Sequence, residues 1–248
     1  MSTYWQAALK THWGIEADLT RLDGEYDLNF LAETDGQAYV LKVMRPGCEA
    51  EFVALQCGAF GHISASAPEV PVPNIVTTPS GENYIEVSDE AGDMRLVWLL
   101  EKCEGRVYAE ARPKTLALVA EVGAKLGAMD LALADFTHPA LARDFKWNLM
   151  QAGWIRDALG AIAQPARRAL LGEILAEYDA LLPALTALPQ VAIHNDLNDY
   201  NILVSGSLTA APHVTGLIDL GDMCASPRIC DLAIAGAYLV LDQDAPEQ

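Results

Sequence analysis

HNDLNDYNILV (residues 194–204) and GLIDLGD (residues 216–222) decide how this chain is read. Short apolar runs bracket polar residues, so the order is strand, polar loop, strand, turn, strand, acid. The spacing His-x-Asp-x-x-x-x-Asn lets the Asp196 carboxylate face a nucleophile while Asn201 turns back toward a metal ion. Asp219 follows the apolar pair Leu217-Ile218 and can bridge to the same ion from a neighbouring buried strand. Phosphoryl transfer needs those parts: a carboxylate to accept the proton of the attacking hydroxyl, and oxygen ligands to hold magnesium against the phosphates. Near the end of an N-terminal strand, Lys42 in Val40-Leu41-Lys42-Val43 adds a cation. Alone it reads as a solvated edge residue; together with the downstream loop it becomes a site candidate.

Upstream, β-type runs lie at 17–22, 29–33 and 38–44, broken by turn signals at Gly24 and Asp35-Gly36. Phe52, Leu55, Ala59 and Phe60 predict a helix over 50–62, ended by Pro68, Pro71 and Pro73, which lead into 74–78. Strands are expected at 83–87 and 95–100, with 101–106 as a connector. The character then changes. Leu116, Val119, Val122, Leu126, Met129 and Leu133 share one helical face within 113–133. Helices over 145–162 and 166–182 follow, the second stopped by Pro183. Strands at 191–193, 202–204 and 214–220 and a last helix over 228–241 complete the chain. Trp147 and Trp154 are expected in the core, and Asp231 as a helix cap or a brace for the polar loop.

The composition, 52% hydrophobic and 20% charged, is ordinary for a globular protein and excludes disorder, collagen-like repeats and coiled coil. The formal net charge of −18, from 16 basic and 34 acidic residues, argues against nucleic-acid and anionic-membrane partners. Residues 1–105 hold 6 basic and 17 acidic residues and the remainder 10 and 17, so the acidity is spread. Spread acidity reads as a solubility device; attraction of a cationic small molecule is the sharper alternative. Cys48, Cys57, Cys103, Cys224 and Cys230 form no CxxC pair and read as reduced thiols. MSTYWQAALK has no basic region followed by an apolar one, and the longest apolar stretch, within 232–241, is far short of the roughly 20 residues a bilayer needs. A cytoplasmic location is expected, and the oligomeric state is left open.

With GEYDLNFLA (24–32), YVLKV (39–43), HNDLNDYNILV and IDLGDM, the chain resembles the aminoglycoside phosphotransferase and choline kinase-like superfamily over essentially its whole length. Within that group these segments look most like the hydroxylysine kinases and the kinase modules fused to class III aminotransferases. The resemblance implies an α+β, two-lobed protein-kinase-like fold: a β-rich nucleotide-binding N-lobe (1–105) and a mainly helical C-lobe (106–248). It implies ATP or GTP with magnesium between the lobes, and a small hydroxyl-bearing, cationic acceptor. Asp196 would be the catalytic base, and Asn201 and Asp219 the magnesium ligands. Lys42 would grip the α- and β-phosphates under a loop formed by residues 24–29, including Gly24, Glu25, Tyr26 and Asp27. His194 would brace the catalytic loop.

Four features depart from the family pattern. The 24–27 loop is poor in glycine. The lysine's usual glutamate partner falls on Gln56 by apolar alignment, with Glu51 about one turn earlier, and a neutral partner would hold Lys42 less strongly. Asn195 stands where many relatives have glycine. Relatives continue for several helices beyond the segment equivalent to 231–241, so a C-lobe shortened at its C-terminus is expected. Asp199 and Asp222 either cap turns or touch metal or substrate. Two other functions stay open: a nucleotide-binding module without turnover, and a metal-dependent hydrolase using His194, Asp196, Asp219 and Asp222.

Overall fold

The computed structural model describes residues 2–24, 26–205 and 211–241. Strands β1 (Asp18–Leu22), β2 (Leu28–Glu33), β3 (Ala38–Val43), β4 (Tyr84–Ser88) and β5 (Met94–Glu101) form a five-stranded antiparallel sheet in the order β1-β2-β3-β5-β4. Successive strand residues face opposite sides. Tyr39, Leu41 and Val43 of β3 therefore join Val97 and Leu99 of β5 on one face, while Lys42 joins Leu96, Trp98 and Leu100 on the other. Helix α1 (Ser2–Trp13) covers the first face with Trp5, Leu9 and Trp13; α2 (Ala50–Ser66) covers the second with Val53, Phe60 and Ile63. Burial on both faces explains why residues 96–100 are apolar without alternation.

The C-lobe packs α3 (Leu116–Ala132), the short α4 (Ile155–Ala158), α5 (Pro165–Thr186) and α6 (Arg228–Leu239) around two small antiparallel sheets. One contains β6 (Arg106–Val107), β8 (Ile202–Val204) and β9 (Val214–Leu217); the other contains β7 (Val191–Ile193) and β10 (Cys224–Ser226). One apolar core runs from Phe60 and Trp98 through Leu118, Val122 and Leu126 to Leu197 and Leu217. No described helix is long and apolar enough to cross a membrane.

Several expectations change. Helix α1 was not foreseen, although Trp5, Ala8, Leu9 and Trp13 carry a helical stripe. The helix expected over 145–162 breaks into short turns, because buried Asn148 accepts from Met150 N–H and donates to Ala225 O, which pins the backbone elsewhere. Pro183 does not stop α5, which runs on to Thr186; the proline removes one N–H donor, and Ala187 N–H still bonds to its carbonyl. Residues 74–78 contribute only an isolated bridge, Ile75 to Leu100. Leu116 is exposed rather than part of the α3 core face.

Leu9 is 0% exposed between α1 and the sheet. Leu9→Ala is expected to destabilise the protein by about 2–5 kcal/mol in urea unfolding, whereas a loss below about 1 kcal/mol would detach α1 from the cooperative unit.

Candidate active site

The polar loop begins where β7 ends. His194 is fully buried; its Nδ1 accepts from Asp196 N–H (3.2 Å) and its Nε2 bonds to Ile218 O (3.0 Å), partners that assign the Nε2–H tautomer. Both ring nitrogens are committed to backbone, so neither is offered to a metal. Buried Asp231, in the first turn of α6, accepts from His194 N–H and Asn195 N–H, each at 2.8 Å. Asp231 is thus a brace. Its grip accompanies a left-handed backbone at Asn195 (φ 66°), the physical reason glycine suits that position and asparagine tolerates it. Behind it, Asp130 of α3 is buried; burial and then the Asp231 charge raise its carboxyl well above the usual range, and it hydrogen-bonds Asp231.

Asp196 is presented by two amides. Its Oδ1 accepts from Asn198 Nδ2 and its Oδ2 from Asn201 Nδ2, both at 3.0 Å, and Asn201 Nδ2 also donates to Asp196 O (2.8 Å). Burial raises the Asp196 carboxyl above the usual range, which makes it the better proton acceptor; the two asparagines and His194 oppose the shift. Asp219 follows β9 in a left-handed conformation (φ 64°), and its Oδ1 accepts from Gly221 N–H (3.1 Å) and Lys42 Nζ (3.2 Å). The Lys42 ammonium holds the Asp219 carboxyl below the usual range. Asn195 and Asp219 are the only non-glycine residues with positive φ among those described, and both lie here.

Lys42 sits 11% exposed on β3, its Nζ 5.3 Å from the Trp98 ring centre. Cross-strand pairing sets Asn29 opposite it, so the β1–β2 turn stands beside it. In that turn Asp27 Oδ1 accepts from Arg45 N–H (2.7 Å), and a side chain at Gly24 would lie 2.6 Å from Asn29 Nδ2 and 2.9 Å from Asp27 O. Gly24, Tyr26, Asp27, Lys42, Asp196 and Asp219 line one cleft of about 470 Å³. Glu25 lies outside the described residues. Neither expected lysine partner meets Lys42: exposed Glu51 pairs with His138 (3.6 Å), and Gln56 donates back to Phe52 O (3.3 Å). Gln56 Oε1, at the cleft wall, is buried without a partner.

Other cleft residues escaped the sequence. Arg143, Lys146 and Trp147 line it. Trp147 is 58% exposed, not core, and stands edge-on to Trp154 at 5.8 Å. The signal was present in Arg143-Asp144-Phe145-Lys146-Trp147, a mix of charge and aromatics poorly suited to a core helix. Asp222 lines the cleft, whereas Asp199 bonds Ala109 N–H through its carbonyl (2.9 Å) and is absent from the lining.

Magnesium takes hard oxygen donors and keeps several waters or phosphate oxygens. The Asp219 carboxylate and Asn201 Oδ1, left over once Nδ2 has bonded Asp196, fit that demand.

The family described as "Phosphotransferase enzyme family" matches residues 18–247. The chain is 28% identical over 229 residues to the hydroxylysine kinase of Mus musculus, a match covering 86% of the chain and 60% of the mouse protein. It thus spans less than two thirds of that relative. A microcompartment-associated aminopropanol kinase superposes with a TM-score of 0.67 at 23% identity, covering 99% of the chain and 77% of that structure. Amicoumacin kinase hAmiN, solved with AMP-PNP, Ca2+ and Ami, gives 0.65 at 18% identity over 95% of the chain and 69% of that structure. These likenesses establish the two-lobed protein-kinase-like fold.

Burial, and then the Asp196 charge, push the Asp222 carboxyl up to about 6, while Arg143 pulls the other way. The native state therefore holds this proton more tightly than the unfolded chain, and stability is lost as pH rises from about 4, the unperturbed value, through that pKa. In metal-free buffer Asp222→Asn is expected to raise the melting temperature at pH 8, with the gain vanishing below about pH 4. An equal gain at both pH values would contradict the assignment.

Proposed function

The chain belongs to the phosphotransferase enzyme family, and from that premise we propose that it moves the γ-phosphoryl group of a magnesium-bound nucleotide to the hydroxyl of a small, amine-bearing acceptor. One observation carries the proposal: Lys42 Nζ and Asp219 Oδ1 meet at 3.2 Å in the cleft that Asp196 also lines, although they lie 177 residues apart. Residues 1–105 serve as the nucleotide-binding lobe and 106–248 as the lobe carrying the catalytic loop.

Asp196 is the general base. Its carboxylate, fixed by Asn198 and Asn201, orients the acceptor hydroxyl and takes its proton as the new O–P bond forms. Lys42 would neutralise phosphate charge, and Gly24, Glu25, Tyr26 and Asp27 would supply the loop that holds the phosphates. Asn201 and Asp219 would hold magnesium, which when bound would screen the negative charge of the phosphates. Gln56, whose Oε1 is buried at the cleft wall without a partner, would be the candidate to steady the Lys42 ammonium; Glu51 is engaged with His138. Acids around the cleft, Asp222 among them, favour a cationic acceptor, for which the mouse relative's hydroxylysine is the first candidate. All five cysteines are free thiols, in keeping with a cytoplasmic protein.

The alternative, nucleotide binding without turnover, is favoured by one observation: none of the described acids on α2 pairs with Lys42. A coupled assay of ADP and GDP release across amino alcohols and hydroxy-amino acids separates the two and reports the preferred nucleotide. Acceptor-stimulated release is expected, and Asp196→Asn should lower kcat by about 10²–10⁴-fold while leaving nucleotide binding in place. Nucleotide binding with no stimulated release by any acceptor would establish the alternative.

A further inference from the structure

The acids of the cleft account for an ammonium group on the acceptor but not for the cleft's own cations. Lys42 faces Asp219. Arg143 and Lys146, on the segment after α3, are held by rings instead. The Arg143 guanidinium lies 4.8 Å from the Phe52 ring centre and 4.1 Å from that of Phe145. Lys146 Nζ lies 5.1 Å from the Trp147 centre and 4.1 Å from that of Trp154. An aromatic face fixes a cation through its quadrupole without cancelling its charge, as a carboxylate would. Among the described residues no salt bridge joins either cation to an acid. Arg143 Nη2 donates to two carbonyls, Gly221 O (2.8 Å) and Met223 O (3.2 Å), and its Nε is buried without a partner. The Arg143 charge is partly offset by the Asp222 carboxylate, whose pKa it lowers, whereas ring-held Lys146 keeps its attraction for an anion.

Their position assigns that anion to the acceptor. The phosphates would have Lys42, the β1–β2 turn with Arg45 bonded to Asp27 beside it, and the metal. Arg143 instead grips the carbonyls on either side of Asp222, and Asn195 Nδ2 donates to Trp147 O (3.3 Å), which ties the Lys146–Trp147 pair to the loop that presents Asp196. Resting on the kinase reading above, we propose that Arg143 and Lys146 are specificity-determining residues that select an acceptor bearing a carboxylate besides its amine and hydroxyl. The favoured class is a hydroxy-amino acid, not an amino alcohol. Asp222, on the same wall, receives the ammonium while the two ring-held cations receive the carboxylate.

The test compares acceptors that differ only in that group: homoserine against aminopropanol, and hydroxylysine against its decarboxylated diamine, each by kcat/KM on the full chain. The wild type is expected to favour the amino acid by about a hundredfold. Lys146→Met should cut that ratio at least about tenfold, mainly through KM, and Lys146→Arg should restore most of it. A wild-type ratio near one, or one unchanged in Lys146→Met, overturns the proposal. If no acceptor is phosphorylated, the kinase reading fails on its own terms, and binding still decides this one. Trp147 and Trp154 flank Lys146, so tryptophan emission follows occupancy in the presence of magnesium and AMP-PNP. A saturable change with the amino acids alone, lost in Lys146→Met, supports the anion-reading wall; equal responses to amino acid and amino alcohol overturn it.

Discussion

The contact between Lys42 and Asp219 is the constraint around which the cleft is organised. A lysine ammonium that is mostly removed from water needs a compensating charge, and among the described residues of the N-lobe it meets a tryptophan face rather than an acid. Its carboxylate comes from the other lobe, at the end of β9. Three local facts make the meeting possible: the alternation that turns Lys42 toward the α2 side of the sheet, the β8–β9 pairing that sets Asp219 next to the 194–201 loop, and the left-handed turn that aims it. Asp219 remains 48% exposed, so one partner of the pair is accessible to a competing cation.

Reactive geometry here is supported by groups that do not react. Asp231 draws two backbone amides toward itself, His194 ties the loop to β9, and Asn198 and Asn201 fix the two oxygens of Asp196. A sparsely populated backbone at Asn195 and Asp219 persists because these partners over-determine it. The Asp130–Asp231 contact extends the chain of support into α3: burial and the neighbouring acid raise the Asp130 carboxyl, which favours the protonated form that can donate to Asp231.

Much of the fold was legible because its signals are local. Short β-type runs broken by turn signals marked the strands of the N-terminal sheet, and the 194–204 and 216–222 segments marked Asp196, Asp219 and Asp222, which line the cleft. What escaped depends on tertiary context. The helical stripe of α1 is short and needs the sheet face to make sense. The 145–162 region has helical apolar spacing, yet Asn148 finds buried partners on β10 that a sequence window does not contain. The partner of Lys42 was sought on α2, where family pattern places it; the distance relation to Asp219 is invisible until β3 and β9 are assembled. Arg143 and Lys146 read as ordinary surface charge until Phe52, from the other lobe, and Trp154 close over them.

On the proposed function, Lys42 and Asp219 together form the receptor for a metal-bound nucleotide. Isothermal titration of AMP-PNP and its guanine counterpart, with magnesium and with chelator, measures this directly on the wild type and on Asp219→Asn. Binding at least about tenfold tighter with magnesium is expected in the wild type, with that enhancement lost in the variant. Equal affinity with and without magnesium, unaltered by the substitution, would contradict it.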